Sequence, residues 1–310
     1  MPEKNSEPTV IEARVISRYG NRADIRWEGG DKARCAIRRN LSHLVCGDRV
    51  SVKQDKNQWV IESIKPRDSV FERPLPYEGV KAVAANVDQL VIVNAILPQY
   101  SSQILDRYLC IAEHAGISPI IVFNKMDLLD QEQTLQFKSD TANYENLGYS
   151  CFYLQATAHD SQAELTPILA ALEEALKAKT SIFVGQSGVG KSSLLNYFLG
   201  EDIEAAATQA VSENSGLGTH TTTVSRLYEL DNDIAIIDSP GIREFPLNHL
   251  DARSIERGFI EFHELEEPCH FRNCSHINEP KCAVKKAVKQ ERISPERYQN
   301  YCQIMASLDP

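Results

Sequence analysis

Gly185-Gln186-Ser187-Gly188-Val189-Gly190-Lys191-Ser192 stands directly after the apolar run 181–184 and directly before a helical run that begins at Ser193. Its spacing, GxxxxGKS between a strand and a helix, is that of a loop that wraps phosphates. The glycines let backbone N–H groups turn inward, the lysine reaches the β and γ phosphates, and the serine hydroxyl ligates Mg²⁺. At average residue usage, a chance match in a chain this size is on the order of one per cent or less, so a bare glycine-rich turn is a weak alternative. Working outward, apolar strands at 90–93, 119–123, 182–185 and 234–238 alternate with helical patterns such as 103–115. That alternation predicts a mostly parallel sheet with helices on both faces.

Three further motifs close strands of this predicted sheet. Asn124-Lys125-Met126-Asp127 follows the strand 119–123 in the NKxD form. An aspartate there accepts two parallel hydrogen bonds from guanine N1–H and its exocyclic amine, which adenine does not offer, so the predicted nucleotide is GTP. Taken alone, Asp127 before two leucines would equally cap a helix. After the apolar run 151–154, Gln155-Ala156-Thr157-Ala158 stands where a short segment touches the base, and Ala156 is the residue assigned to that contact. Asp238-Ser239-Pro240-Gly241 has the DxxG form, whose aspartate holds Mg²⁺ through water and whose glycine N–H, here that of Gly241, senses the γ-phosphate. Between the phosphate loop and DxxG lies Gly216-Leu217-Gly218-Thr219-His220-Thr221-Thr222-Thr223, a run suited to a switch. One threonine there, Thr222 or Thr223, completes the Mg²⁺ shell, and the same run equally suits the start of a strand at 224–228.

The usual order of these motifs is phosphate loop, switch threonine, DxxG, NKxD. Here NKxD comes first, a circular permutation that leaves the sheet buildable but moves the chain ends. The chain therefore leaves the nucleotide domain just after DxxG, and a shift of 241–245 is placed to pull on whatever follows.

Upstream, from 10 to 64, short alternating runs recur between turn signals, the clearest being Ala23-Asp24-Ile25-Arg26-Trp27. Five such strands suit a small barrel. An OB-fold leads, and an SH3-like barrel would give much the same pattern. Residues 65–79, with Pro66, Pro74 and Pro76, read as a linker. The net charge is -10, which argues against a nucleic-acid partner until it is divided. Residues 1–67 carry +5, residues 68–247 carry -14 and residues 248–310 carry -1. A basic head on an acidic body suits docking on RNA by Arg22, Arg26 and their neighbours, with a solvated surface as the plain alternative. The domains expected are thus 1–67, 68–247 and 248–310.

No run of eighteen apolar residues appears, and 1–9 lacks the pattern of a secretory leader, so a cytoplasmic protein off the membrane is expected. Downstream, 251–265 reads as helical and Ser294-Pro295-Glu296 opens a last helix with a serine cap and proline at its first position. Between them, Cys269, Cys274, His276 and Cys282 supply four soft ligands within fourteen residues, enough to close a structural tetrahedral Zn²⁺ site. His270 is the less suitable histidine because it adjoins Cys269.

Together, NKMD, GQSGVGKS, THTTT, DSPG and the CxxxxCxHxxxxxC cluster resemble the RsgA (YjeQ) family of small-ribosomal-subunit-dependent GTPases, over nearly the whole chain. The resemblance implies an N-terminal OB-fold, a circularly permuted G domain, a C-terminal zinc domain, and a monomer that binds the small ribosomal subunit and its rRNA during late maturation. It also carries the phosphate contacts on to Ser193. Two departures stand out: Ser239 replaces the usual threonine of DTPG, and Ala156-Thr157 blurs the base-contacting loop.

The glutamine that orients water in Ras-like enzymes is replaced by Ile242, and Gly188 takes the place of the asparagine that holds a potassium ion in others. His220 is the remaining catalytic candidate, because a neutral imidazole orients water; RNA contact or switch packing is its other reading. Against a GTPase stand two alternatives. A P-loop ATPase or kinase has no use for NKxD, and a GTP-binding RNA scaffold with little turnover differs only in measured hydrolysis.

Overall fold

The computed structural model describes residues 10–27, 29–55, 58–75, 79–155, 167–200, 225–230, 233–238, 247 and 249–308. Alternation builds the first unit: β1 (Val10–Tyr19), β2 (Arg22–Trp27), β3 (Lys32–Ile37), β4 (Arg49–Asp55) and β5 (Gln58–Ile64). They run in the order β1-β2-β3-β5-β4, and β4 pairs back on β1 to close the barrel. Val15, Ala23, Ile25, Cys35, Val50, Val52 and Ile61 fill its interior. The β3–β5 pair is parallel, which separates this OB-type closure from an all-antiparallel SH3-like barrel.

The stretch read as a linker carries a strand. β6 (Val70–Pro74) pairs antiparallel with β7 (Val80–Ala85), and Phe71 is fully buried. The prolines misled because Pro66 precedes the strand and Pro74 ends it, where a missing N–H costs little.

The second sheet has the order β10-β9-β8-β11-β13-β12, built from β8 (Gln89–Ala95), β9 (Ser118–Asn124), β10 (Ser150–Tyr153), β11 (Thr180–Val184), β12 (Arg226–Glu229) and β13 (Ala235–Asp238). All its pairings are parallel except that of β12 with β13. Successive residues of β8 face opposite ways. Leu90 and Ile92 join the core with α1 (Ser102–Ala115) and α2 (Gln131–Asn146), whereas Val91 and Val93 join the core with α3 (Pro167–Leu176) and α4 (residues 191–200). Burial on both faces is why these strands are continuously apolar.

The barrel and the sheet meet at β12, where Ser17 pairs with Arg226. Arg26 Nη1 lies 2.9 Å from Glu229 Oε2, and Arg14 Nη2 donates to Thr180 Oγ1 at 2.7 Å. Arg26 was expected on the free basic surface. It is instead a strut between barrel and sheet, because β2 lies beside the strand that joins the two; Arg22 is exposed.

The tail is helical but broken. α5 (Ala252–Arg257), capped by Asp251 accepting from Ser254 N at 2.7 Å, stops at Gly258, and a 3-10 turn (Ile260–Phe262) replaces the single helix read over 251–265. α6 (Ala283–Lys289) and α7 (Pro295–Ala306) follow, with Ser294 capping α7 as the sequence indicated. α7 docks on α1 through a buried polar knot. Arg297 grips Glu261 with Nε and Nη2 (2.6 and 2.9 Å) and Asp106 with Nη1 (2.6 Å), while Asn300 and Tyr144 also donate to Asp106. Burial pushes the Asp106 carboxyl up to about 6 against the pull of Arg297.

Candidate nucleotide edge and metal centre

Because β8, β9, β10, β11 and β13 are parallel, the segments that follow them emerge at one edge, where open α/β sheets bind ligands. The phosphate loop leaves β11, Asn124 closes β9, Leu154 follows β10 and Asp238 closes β13. Motifs some sixty residues apart are thereby brought into contact. Asn124 is fully buried, and its Nδ2 donates to Val189 O at 2.9 Å. Lys125, in the left-handed region at φ 61°, sends Nζ to Gly188 O (2.6 Å) and Leu97 O (2.7 Å). The first two residues of NKxD therefore hold the phosphate loop in shape. Glycine is required there for close approach: a Cβ on Gly190 would lie 2.2 Å from Asn124 Nδ2, and one on Gly185 2.1 Å from Val93 O.

Met126 is buried and its N–H donates to Leu154 O at 3.0 Å, which sets the end of β10 beside this turn. Asp127 lies exposed in the 3-10 turn Met126–Leu128. It is not the helix cap: Asp130 caps α2, in a reciprocal box with Gln133. Lys191 Nζ folds back on Gly185 O (2.7 Å) and Gln186 O (2.5 Å). Gln186, Ser187 and Gly188 form the outer part of the loop, and Ser192 and Ser193 open α4 with Ser192 exposed. Burial raises the Asp238 carboxyl above its ordinary value, a cost that a neighbouring cation would offset. Ala156, His220, Thr222, Thr223 and Gly241 lie outside the described residues.

The ligand atoms of Cys269, Cys274, His276 and Cys282 all lie within 4.8 Å of one another. Cys269 Sγ is 3.8 Å from Cys282 Sγ, and His276 Nδ1 is 3.5 and 3.4 Å from those two sulfurs. A tetrahedral zinc with its usual bond lengths spaces sulfurs about 3.8 Å apart and sulfur from nitrogen about 3.6 Å, so the donor set fits the ion. The N–H groups of Ala283 and Lys285 point at Cys269 Sγ (3.2 Å) and Cys282 Sγ (3.5 Å), which favours thiolates. His276 and Lys281 take positive φ, 63° and 56°, which is uncommon for residues other than glycine. His270 is exposed and lies edge-on to Phe271.

Residues that motif reading passed over hold this loop. Tyr298 and Tyr301 of α7 donate to His276 O (2.7 Å) and Ser275 O (2.9 Å). Glu279 accepts from Ser275 N and Oγ, which holds its carboxyl down at about 2. Lys285 Nζ reaches Ile277 O at 3.1 Å.

A P-loop sheet whose NKxD segment precedes and braces its phosphate loop is that of a circularly permuted GTPase, a GTP hydrolase that works with Mg²⁺. The chain belongs to the RsgA GTPase family, whose model matches residues 64–248. It is 45% identical to a protein of Photorhabdus laumondii over 96% of this chain and 85% of that one, and 46% identical to one of Haemophilus influenzae over 95% and 84%. Both relatives are named small ribosomal subunit biogenesis GTPase RsgA. Among solved structures, YjeQ from Thermotoga maritima superposes with a TM-score of 0.76 at 31% identity, covering 97% of this chain and 99% of that one. YloQ, described as a circularly permuted GTPase, gives 0.75 at 26% identity over 99% and 98%.

Proposed function

We propose that the chain hydrolyses GTP on the small ribosomal subunit and assists the subunit's late maturation, with 1–67 as its RNA-binding barrel, 68–247 as its G domain and 248–310 as its zinc domain. The observation that carries the nucleotide half is the bracing of the phosphate loop by Asn124 and Lys125; the ribosomal half rests on the names of the relatives. Asp127 reads guanine, with Asn124, Lys125 and Met126 setting its turn and Ala156 touching the base. Gly185 to Ser193 cradle the phosphates, and Lys191 exchanges the carbonyls of Gly185 and Gln186 for phosphate oxygens. Ser192, Asp238 and Thr222 complete the Mg²⁺ shell, with Thr223 as the other threonine, and Gly241 senses the γ-phosphate. The reading places a monomer in the cytoplasm. Among the described residues no helix is long and apolar enough to cross a membrane. GTP hydrolysis measured with and without purified small subunits tests the proposal: stimulation supports it, and GTP held without turnover leaves a scaffold.

The metal is zinc in this reading, one per chain, held by Cys269, Cys274, His276 and Cys282. It supplies structure, not chemistry, because four protein ligands leave no open position. Cys274→Ser is expected to lose the metal and loosen the tail while GTP binding survives. Elemental analysis of protein purified without chelators checks it, and a wild-type chain free of zinc would end the reading.

For the RNA surface, Arg22→Glu is expected to weaken small-subunit binding and to lower the salt slope by about one. Arg26 is a poor probe, since reversing it would break the strut to Glu229. An unchanged slope moves the contact elsewhere. The stripe Lys285, Lys289, Arg292 is a reduced candidate, because Lys285 is spent on loop carbonyls.

A further inference from the structure

We infer that Glu256, on α5, is the positioning residue of the C-terminal metal centre: it fixes His276 in the tautomer that presents Nδ1 to the zinc. The inference rests on the zinc reading above. His276 Nε2 lies 3.3 Å from Glu256 Oε1, on the side of the ring away from the sulfurs, while Nδ1 faces Cys269 and Cys282. A neutral imidazole has one N–H and one lone pair, and a carboxylate only accepts. The proton therefore sits on Nε2, bonded to Glu256, and the lone pair of Nδ1 is left for the ion. Such outer carboxylates orient the ring and raise its basicity as a ligand.

Two other contacts hold His276 in place. Phe262 packs edge-on against it, with centroids 5.6 Å apart at 73°, and Tyr298 anchors its backbone carbonyl. Glu256 comes from a different element, α5, the first helix among the described residues after the chain leaves the nucleotide sheet. Its bond to His276 makes the metal loop a fastening for α5 rather than a self-contained knuckle.

The test uses the full-length chain, loaded with zinc and titrated with a chromophoric chelator, in wild type, Glu256→Gln and Glu256→Met. Glutamine keeps an accepting oxygen; methionine fills similar space but offers the N–H no comparable acceptor. Glu256→Met is expected to bind zinc about 10- to 100-fold more weakly than wild type, with Glu256→Gln close to wild type and GTP affinity unchanged in both. If methionine holds zinc as tightly as glutamine, the residue only packs, and the inference fails while the zinc reading stands. A wild-type chain that takes up no zinc overturns both. Long-range ¹H–¹⁵N spectra of zinc-loaded wild type give a readout independent of any variant: His276 is expected protonated on Nε2 and metal-bound through Nδ1, and the opposite assignment overturns the inference.

Discussion

Arg297→Ala is expected to cost about 3–5 kcal/mol in the docking of the tail on the G domain, because it leaves the carboxylates of Asp106 and Glu261 buried without their cation. Arg297 is 1% exposed and Asp106 1%, so neither charge can turn to water without opening the interface. The guanidinium also lies over the rings of Phe259 and Tyr144, 4.9 and 5.3 Å from their centroids, and these contacts go with it. Arg297→Lys is expected to recover little, since one ammonium cannot make the fork to Glu261 and still reach Asp106. Amide hydrogen exchange of α7 and α1 is the appropriate measurement, because a chain of several domains has no single unfolding free energy. Protection in α7 should fall in both variants while the barrel amides are unchanged. Unchanged α7 protection in Arg297→Ala would show that apolar packing alone holds the tail.

That knot bears on how the tail can respond to nucleotide. The order of motifs alone makes a shift of 241–245 a direct pull on the tail. The structure ties the tail to α1 through the Arg297–Asp106 ion pair, and to α2 through the Arg297 guanidinium over the Tyr144 ring, so a pull on α5 works against a buried ion cluster.

What could be read in advance follows physical range. The phosphate loop and NKxD are local chemistry, and their spacing carried them. The barrel strands showed by alternation, but the parallel β3–β5 pair that makes the barrel OB-type is a tertiary contact with no local trace. The hairpin β6–β7 was hidden because prolines flank β6 and the alanines of Val80–Ala85 blunt any alternation. Arg297 on α7 looks like any charge on a polar helix, and only the position of α1 makes it a core residue. The bracing of the phosphate loop by Asn124 and Lys125 was likewise invisible: the base contact proposed for these residues already accounts for them, and their bracing depends on β9 lying two strands from β11.

His220→Ala is expected to lower single-turnover hydrolysis on the small subunit by about 10²- to 10⁴-fold, the range for loss of a group that handles the attacking water, with GTP affinity and subunit binding close to wild type. Ile242, after the DxxG glycine, has no hydrogen-bonding group, and Gly188 gives the phosphate loop no side chain to hold a potassium ion. His220 adjoins in sequence the threonines proposed for Mg²⁺, and a neutral imidazole there would suit orienting a water. Without the subunit, turnover is expected to be slow, roughly 10⁻⁴ to 10⁻² s⁻¹, and it is expected to rise when the subunit sets the imidazole against the nucleotide. The described residues supply a route for the subunit to do so. β12 is the first strand after the threonine run, and it is joined to the barrel by the Ser17–Arg226 pairing and the Arg26–Glu229 ion pair. A partner that grips the barrel therefore acts on the strand into which the His220 segment runs. Arg26→Ala should accordingly blunt stimulation by the subunit more than it alters unstimulated turnover. Near-normal stimulated hydrolysis in His220→Ala would remove the histidine from the mechanism and leave it as an RNA contact or a packing residue.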